Sequence, residues 1–369
     1  MAGLTAEEGV AKPTSCYHGG IYSVNPKLVK VDFSSSINPL GIPDRVLASI
    51  RRNLGRISSL YPDPECLELK KGILNYLDND LSLDCICVGN GATEIIHDFA
   101  RAFVHSKTLI PVPTFCEYEV ASYRTGADIM LVPLKNKKLD PELIIEKAKD
   151  KEQDALFFCN PNNPTGLLCT KEIKKVIEQL DSSTKILVDE SFIEFVDGDR
   201  KAHSLIDKVK EFDNLVVLRS FTKSFALAGL RVGYSVSNPK LAKQMSANRI
   251  FWNVNGVAQL AAIVALKDMT HIANARAIIK KERSFMHSYI NKKFQNFIAC
   301  RSDVNYFLIR LKNKDSTHIR DLMLVRSGVL IRDCSTFSGM GHEYVRVAVK
   351  THNENLLLLD ALGSFDTWI

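Results

Sequence analysis

From residue 84 to 236, short apolar runs alternate with amphipathic stretches, and this alternation constrains the fold more than any other feature of the chain. The runs are Asp84–Val88, Thr108–Val112, Ile129–Pro133, Ala155–Cys159, Lys185–Val188, Leu215–Leu218 and Arg231–Val236. Between them, Thr93–Val104, Pro141–Lys149 and Lys171–Leu180 carry apolar residues at helical spacing and are long enough to cross over a sheet. Apolar strands joined by helical crossovers predict an α/β fold with a mostly parallel sheet covered on both faces. After Pro239 the pattern changes to long helices, Val254–Lys267 and His271–Phe294. A mixture of strands and helices comes next: Tyr306–Leu311, Thr317–Arg326, Val329–Arg332, Tyr344–Val349 and Asn353–Leu362. The expected organisation is a large α/β domain over residues 46–245 and a smaller C-terminal α+β domain over 246–369, with an N-terminal segment, 1–45, packing on the smaller one.

The 369 residues allow more than one domain, and a hydrophobic share of 46% with 24% charged residues is that of a soluble globular protein. The net charge of +6 is spread among acidic residues, so neither a nucleic-acid stripe nor a polybasic membrane patch is expected. No run approaches the roughly 18 apolar residues of a spanning helix. The first residues, MAGLTAEEGVAKPTSC, hold a Glu pair and no apolar export core. Nine cysteines stand singly, and the one close pair, Cys85-x-Cys87, lies in an apolar run without metal spacing. These features predict a cytoplasmic protein with no metal and no disulfide framework.

The residues just past each strand are informative. Val88 runs into Gly89-Asn-Gly-Ala-Thr-Glu94, Val112 into Pro113-Thr-Phe115, and Cys159 into Asn160-Pro-Asn-Asn-Pro-Thr-Gly166. Val188 runs into Asp189, and Leu218 into Arg219-Ser-Phe-Thr-Lys223. Ligands of open α/β sheets bind at the carboxyl ends of strands, so five polar clusters converge on one edge. Taken singly, each has a plainer account: a capped turn, a rigid proline loop, a capping aspartate, a core phenylalanine. Taken together, they ask for a phosphate at the helix N-terminus and an aromatic ring against Phe115. They also ask for a protonated ring nitrogen at Asp189 and an aldehyde for Lys223, since a desolvated lysine must be neutral, modified or paired. Pyridoxal 5'-phosphate has all four features.

The motifs Tyr61-Pro-Asp-Pro, Asn160-Pro-Asn-Asn-Pro-Thr-Gly, Asp189-Glu-Ser-Phe and Ser220-x-Thr-Lys223, with Arg231, resemble those of fold-type-I pyridoxal-phosphate-dependent transferases of the class I/II aminotransferase branch, over nearly the whole chain. The resemblance implies that Lys223 bonds the cofactor aldehyde, Asp189 faces its pyridine nitrogen, Asn163 its ring oxygen and Phe115 its ring face. It implies Ala92, Thr93, Ser220, Thr222 and Arg231 around the phosphate, with Tyr61 reaching that group from the other subunit of a homodimer.

Within this branch, His18-Gly-Gly and Phe33-Ser-Ser-Ser-Ile-Asn38-Pro-Leu-Gly41 resemble the start of decarboxylases that act on phosphorylated amino acids. Phe115 and Phe192 stand where the aminotransferases usually carry tyrosine. The resemblance then makes His18, Asn38, Asn163, Arg332 and Arg346 substrate-binding, although from the residues alone His18 is a surface histidine beside a glycine turn. Arg332 and Arg346 lie on strand-like segments, and planar guanidiniums suit a phosphate. Transamination of a phosphorylated amine by the same residues stays open. A regulator that senses an amine on this fold would carry a basic DNA-binding helix, which is not expected here.

Overall fold

The structure is a computed structural model that describes residues 16–150, 152–247, 249–312 and 315–366. The sequence expectations for residues 1–15 lie outside the described residues. A two-residue strand, β1 (Val31–Asp32), comes first. The large sheet is made of β2 (Ile86–Gly89), β3 (Lys107–Val112), β4 (Asp128–Pro133), β5 (Ala155–Cys159), β6 (Lys185–Asp189), β7 (Leu215–Ser220) and β8 (Gly233–Ser237). Its order is β2-β8-β7-β6-β5-β3-β4.

Side chains on these strands alternate between two cores. Leu156, Phe158, Ile186, Val188, Leu215 and Val217 join one cluster, whereas Phe157, Leu187, Val216 and Leu218 join another. The first is covered by helices Pro141–Asp150 and Thr170–Gln179, and the second by Gly91–Phe103 through Ile95, Ile96 and Phe99. Burial on both faces is why these runs are continuously apolar rather than alternating.

One strand departs from the parallel pattern. β8 is antiparallel to both of its neighbours, β7 and β2. The residues between β7 and β8 form the short helix Phe221–Ser224 and a single turn, Ala228–Leu230, so no crossover helix is available and the chain reverses. As a result β8 begins at the edge where the parallel strands end.

The remaining strands are β9 (Phe297–Ala299), β10 (Tyr306–Leu311), β11 (Val329–Leu330), β12 (Arg332–Asp333) and β13 (Tyr344–Ala348). An antiparallel sheet has the order β12-β13-β10-β9, and β1 pairs in parallel with β11. The segment expected as one strand, Val329–Arg332, is therefore two strands in two sheets. Helix Met269–Lys293, about 37 Å long at 1.5 Å per residue, bridges the two regions. Its Ala275 and Ile279 meet Ile193 and Phe195, while Met286 and Ile290 enter the small-sheet core. Among the described residues no helix is long and apolar enough to cross a membrane.

Phe33 ties the N-terminal strand to this second core. It is fully buried there, its N–H donates to the Leu330 carbonyl at 2.7 Å, and its own carbonyl accepts from Ala348 at 2.9 Å. Phe33→Ala is expected to lower unfolding free energy by about 3–5 kcal/mol, read from denaturant midpoints.

Candidate active site

Strands β2, β7, β6, β5 and β3 all run the same way, so their carboxyl ends share one edge, joined there by the start of β8. A cavity of about 390 Å³ opens at this edge. It is lined by Ala92, Thr93, Phe115, Asn163, Asp189, Ser220, Thr222, Lys223 and Arg231 from the large-sheet region, together with His18, Arg332 and Arg346.

Lys223 sits in the short helix after β7, capped by Ser220, whose Oγ accepts from Thr222 N–H at 3.2 Å. Its Nζ lies 5.6 Å from the centre of the Phe192 ring and has no carboxylate ion pair within 4.0 Å among the described residues. Burial, Arg346 and Arg231 pull its pKa from 10.5 down to about 8, against smaller opposing effects of Asp189 and Asp32. The amine is thus far easier to deprotonate than an ordinary lysine, with roughly a tenth of it in the neutral, nucleophilic form at pH 7.

Asp189, at the end of β6, is buried, and burial pushes its carboxyl upward. Two donors favour its carboxylate form against that push: Tyr118 Oη at 2.8 Å and Ser191 N–H at 2.9 Å. A buried carboxylate of this kind lacks a cation, which a protonated ring nitrogen would supply. Tyr118 has no counterpart in the motifs read from the sequence. Its one sequence signal is a tyrosine three residues beyond Phe115, on the helix Glu117–Tyr123 that comes after β3.

In the asparagine–proline loop the amides divide their work. Asn160 binds Thr170 Oγ1 at 2.8 Å and accepts from Cys169 N–H at 2.8 Å. Asn162 accepts from Thr114 Oγ1 at 3.0 Å and donates to the Pro113 carbonyl at 3.1 Å. These bonds lace the ends of β3 and β5 together, and Asn163 alone lines the cavity, its Oδ1 accepting from Arg346. Its Nδ2 is the donor left for a ring oxygen.

The phosphate end is built on two close approaches. Gly91 opens the helix Gly91–Phe103 at φ 81°, and a Cβ there would come within 2.5 Å of Arg231. A Cβ on Gly233 would lie 2.9 Å from Ala92 N. These two bare backbones let the helix N-terminus, Arg231 and the Ser220–Thr222 turn share one small cup, the geometry a phosphate needs. The residues present therefore fit pyridoxal phosphate.

Arg332 and Arg346 are direct cross-strand partners in the β12–β13 pairing, and both are buried. Neither has a carboxylate ion pair within 4.0 Å among the described residues. Arg346 donates to Asn163 Oδ1 and to the Ser34 carbonyl, and its Nε has no hydrogen-bond partner among them. Arg332 donates to the Tyr17 carbonyl and to Thr336 Oγ1. Burial and Arg346 lower its pKa to about 10, which leaves it charged at neutral pH.

One expected substrate-binding residue lies elsewhere, and Tyr61, expected to serve the other subunit, lies outside the cavity of its own chain. Asn38 is not at the cavity: its N–H donates to the Lys223 carbonyl at 3.0 Å, its Nδ2 to the Ser224 carbonyl at 2.7 Å, and its Oδ1 accepts from Leu40. It props the lysine turn from behind. Tyr61 is 80% exposed and stacked on Trp252 at 4.6 Å, outside the cavity of its own chain. Arg219, adjacent to the lysine turn in sequence, points away into a buried ion pair with Glu190 and Glu194. The cysteines also differ from expectation. Cys16 and Cys116 form a disulfide, while Cys66, Cys85, Cys87, Cys159, Cys169, Cys300 and Cys334 are free.

A buried lysine beyond one strand of a mostly parallel sheet, a carboxylate beyond the next and a phosphate cup at a helix N-terminus define a fold-type-I pyridoxal-phosphate enzyme. The chain belongs to the aminotransferase class I and II family, which matches residues 29–362. It is 35% identical, over 89% of its length and 88% of the relative's, to a protein of Caldanaerobacter subterraneus subsp. tengcongensis named "Putative threonine-phosphate decarboxylase". It is 33% identical to the "Adenosylcobalamin biosynthesis bifunctional protein CobDQ" of Leptospira interrogans, over 92% of this chain and 39% of that longer one. The crystal structure of the histidinol-phosphate aminotransferase from Clostridium acetobutylicum superposes with a TM-score of 0.85 at 34% identity, over 92% of this chain and all of that one. Pyridoxal phosphate is the cofactor.

Covalent uptake of pyridoxal phosphate by cofactor-free protein needs the neutral amine. The uptake rate should therefore rise with pH around a midpoint near 8, monitored by the change in cofactor absorbance. A midpoint near 10.5, the ordinary lysine value, would show a solvated amine.

Proposed function

We propose that the protein decarboxylates O-phospho-L-threonine to (R)-1-amino-2-propanol O-phosphate for cobalamin biosynthesis. The carrying observation is the Arg332–Arg346 pair, two buried guanidiniums directly opposite one another without a carboxylate partner, at a cavity that also presents His18. Like charges in register repel, so the pair calls for an anion, and a phosphate dianion suits two planar forks. The decarboxylase and cobalamin-biosynthesis relatives support the same choice.

When bound, the cofactor supplies an electron sink for whichever bond at the substrate α-carbon stands perpendicular to its ring. The protein decides which bond that is. Arg332, Arg346 and His18 hold the phosphate, so the carboxylate is not gripped by an arginine that would stabilise it before reaction. A carboxylate without such a grip would be free to take the orientation in which the bound cofactor favours its loss. The Lys223 Nζ would hold a proton for delivery to the α-carbon. Phe192 and Phe337, both nearly buried at the cavity wall, keep water from the reacting centre.

Tyr61, Ile250, Phe251 and Trp252 form an exposed apolar cluster, which supports a homodimer in which Tyr61 meets the partner's cofactor phosphate. Likeness to the Clostridium enzyme favours a second reading, transamination of histidinol phosphate by the same lysine. L-Serine O-phosphate is a further candidate for decarboxylation, since the one missing methyl is worth only about 1–3 kcal/mol.

Incubation of the holoenzyme with O-phospho-L-threonine and no keto acid should release carbon dioxide and aminopropanol phosphate in equal amounts. Turnover of histidinol phosphate with 2-oxoglutarate, and none of phosphothreonine, would overturn the assignment. Arg346→Gln should lower kcat/KM at least about a hundredfold, because it removes a buried charge-assisted contact.

A further inference from the structure

The Cys16–Cys116 bond joins two positions 100 residues apart, with Cα atoms 5.6 Å from one another. It lies at the mouth of the cofactor cavity and ties two of its walls together. Tyr17, His18 and Gly19, just after Cys16, form one wall; Phe115, just before Cys116, belongs to the other. We propose that Cys16–Cys116 is a reversible disulfide that latches the Tyr17–Gly19 wall to the Phe115 loop and thereby sets the affinity for the phosphorylated substrate. The effect on substrate rests on the reading of the cavity given above; the latch itself does not.

The pair differs from the free cysteines in being bonded across the two cavity walls and in its polar neighbours. Burial raises the thiols of Cys66, Cys169 and Cys334 to about 12 and that of Cys159 further still, which makes them poor nucleophiles. Cys16 and Cys116 are part-exposed at the rim. Cys16 Sγ lies 3.6 Å from His18 Nε2, a neighbour that favours a thiolate when protonated. Glu117 Oε1, also 3.6 Å from that sulfur, opposes this, but its charge is shared with His18 at 3.0 Å and His97 at 3.2 Å.

Opening requires an external dithiol as reductant. Its thiolate attacks one sulfur, the protein S–S bond breaks, and the released sulfur takes up a proton. The reductant's second thiol then displaces the other sulfur and closes the reductant's own disulfide, so two electrons and two protons pass to the protein. Apart from the disulfide, the strip is held by the contact of the His18 and Phe115 rings, 5.8 Å apart, and by single hydrogen bonds: Tyr17 carbonyl to Arg332, His18 to Glu117, and Gly20 N–H to Ser34 Oγ at 2.7 Å. Arg332 is one of the two substrate-facing arginines. Loosening the strip therefore releases a group that orients it and removes His18 from the cavity.

The test uses holoenzyme purified without thiols and compared before and after dithiothreitol. Peptide mapping should yield a fragment linking Cys16 to Cys116 that reduction removes. Hydrogen exchange at Tyr17–Gly20 should rise at least about tenfold on reduction while β5 and β6 are unchanged, and KM for O-phospho-L-threonine should rise about tenfold with kcat within about twofold. Cys16→Ser should match the reduced form and no longer respond to oxidant. Exchange that rises while phosphothreonine binds in neither form would keep the latch and remove the substrate assignment. Absence of the linked fragment, or exchange indifferent to reduction, would overturn the latch. So would one zinc ion retained per chain with both thiols reduced, because Cys16, His18 and Cys116 offer ligand atoms within 4.8 Å of one another.

Discussion

Buried positive charge without buried carboxylate partners is the constraint on which this structure turns. Lys223, Arg332 and Arg346 are all withdrawn from water around one cavity, and none has a carboxylate ion pair within 4.0 Å among the described residues. Leaving such charges unpaired is unfavourable by several kcal/mol each. The lysine responds by giving up its proton more readily, which prepares it for an aldehyde. Arginine cannot do so near neutral pH, so the two guanidiniums call for an anion from outside. Asp189 has the reverse need, a buried carboxylate held by two neutral donors and wanting a cation. One ligand, with its substrate, answers all three needs.

The backbone topology makes this possible. Parallel strands bring five chain segments to a single edge, and reversal of β8 adds a sixth, carrying Arg231 to the phosphate cup. Glycine at 91 and 233 allows the helix N-terminus and β8 to approach within distances no side chain would permit. On the opposite side, the pairing of β12 with β13 sets the arginines face to face, and the parallel contact of β1 with β11 draws the N-terminal residues to the same rim. The site is thus assembled between two sheets, with the long helix Met269–Lys293 packed against both regions.

Much of this was legible in the sequence because strands buried on both faces leave continuous apolar runs, and residues just past the ends of those runs, such as Thr93, Asn163, Asp189 and Lys223, line one cavity. Ala155–Cys159 and Tyr306–Leu311 match the observed strands residue for residue. The cofactor-site candidates of the large-sheet region, from Ala92 to Arg231, come together in one cavity. The features that stayed hidden depend on pairing across long separations. The opposition of Arg332 and Arg346 is a matter of antiparallel register, which a spacing along the chain does not encode. Tyr118 reaches Asp189 from 71 residues away, and Cys116 meets Cys16 across 100. Asn38 reads as a ligand because it is polar and lies in a motif, yet its Nδ2 donates to the lysine turn and its Oδ1 accepts from Leu40 N–H. The break of Val329–Arg332 into two sheets is invisible in an unbroken apolar run.

The most direct measurement is borohydride reduction of the protein with pyridoxal phosphate and subsequent peptide mass mapping. A pyridoxyl-phosphate adduct is expected on the peptide that carries Lys223, and none on Lys223→Ala. An adduct confined to other lysines, with Lys223 unmodified, would contradict the assignment of this amine as the cofactor's anchor and with it the chemistry built upon it.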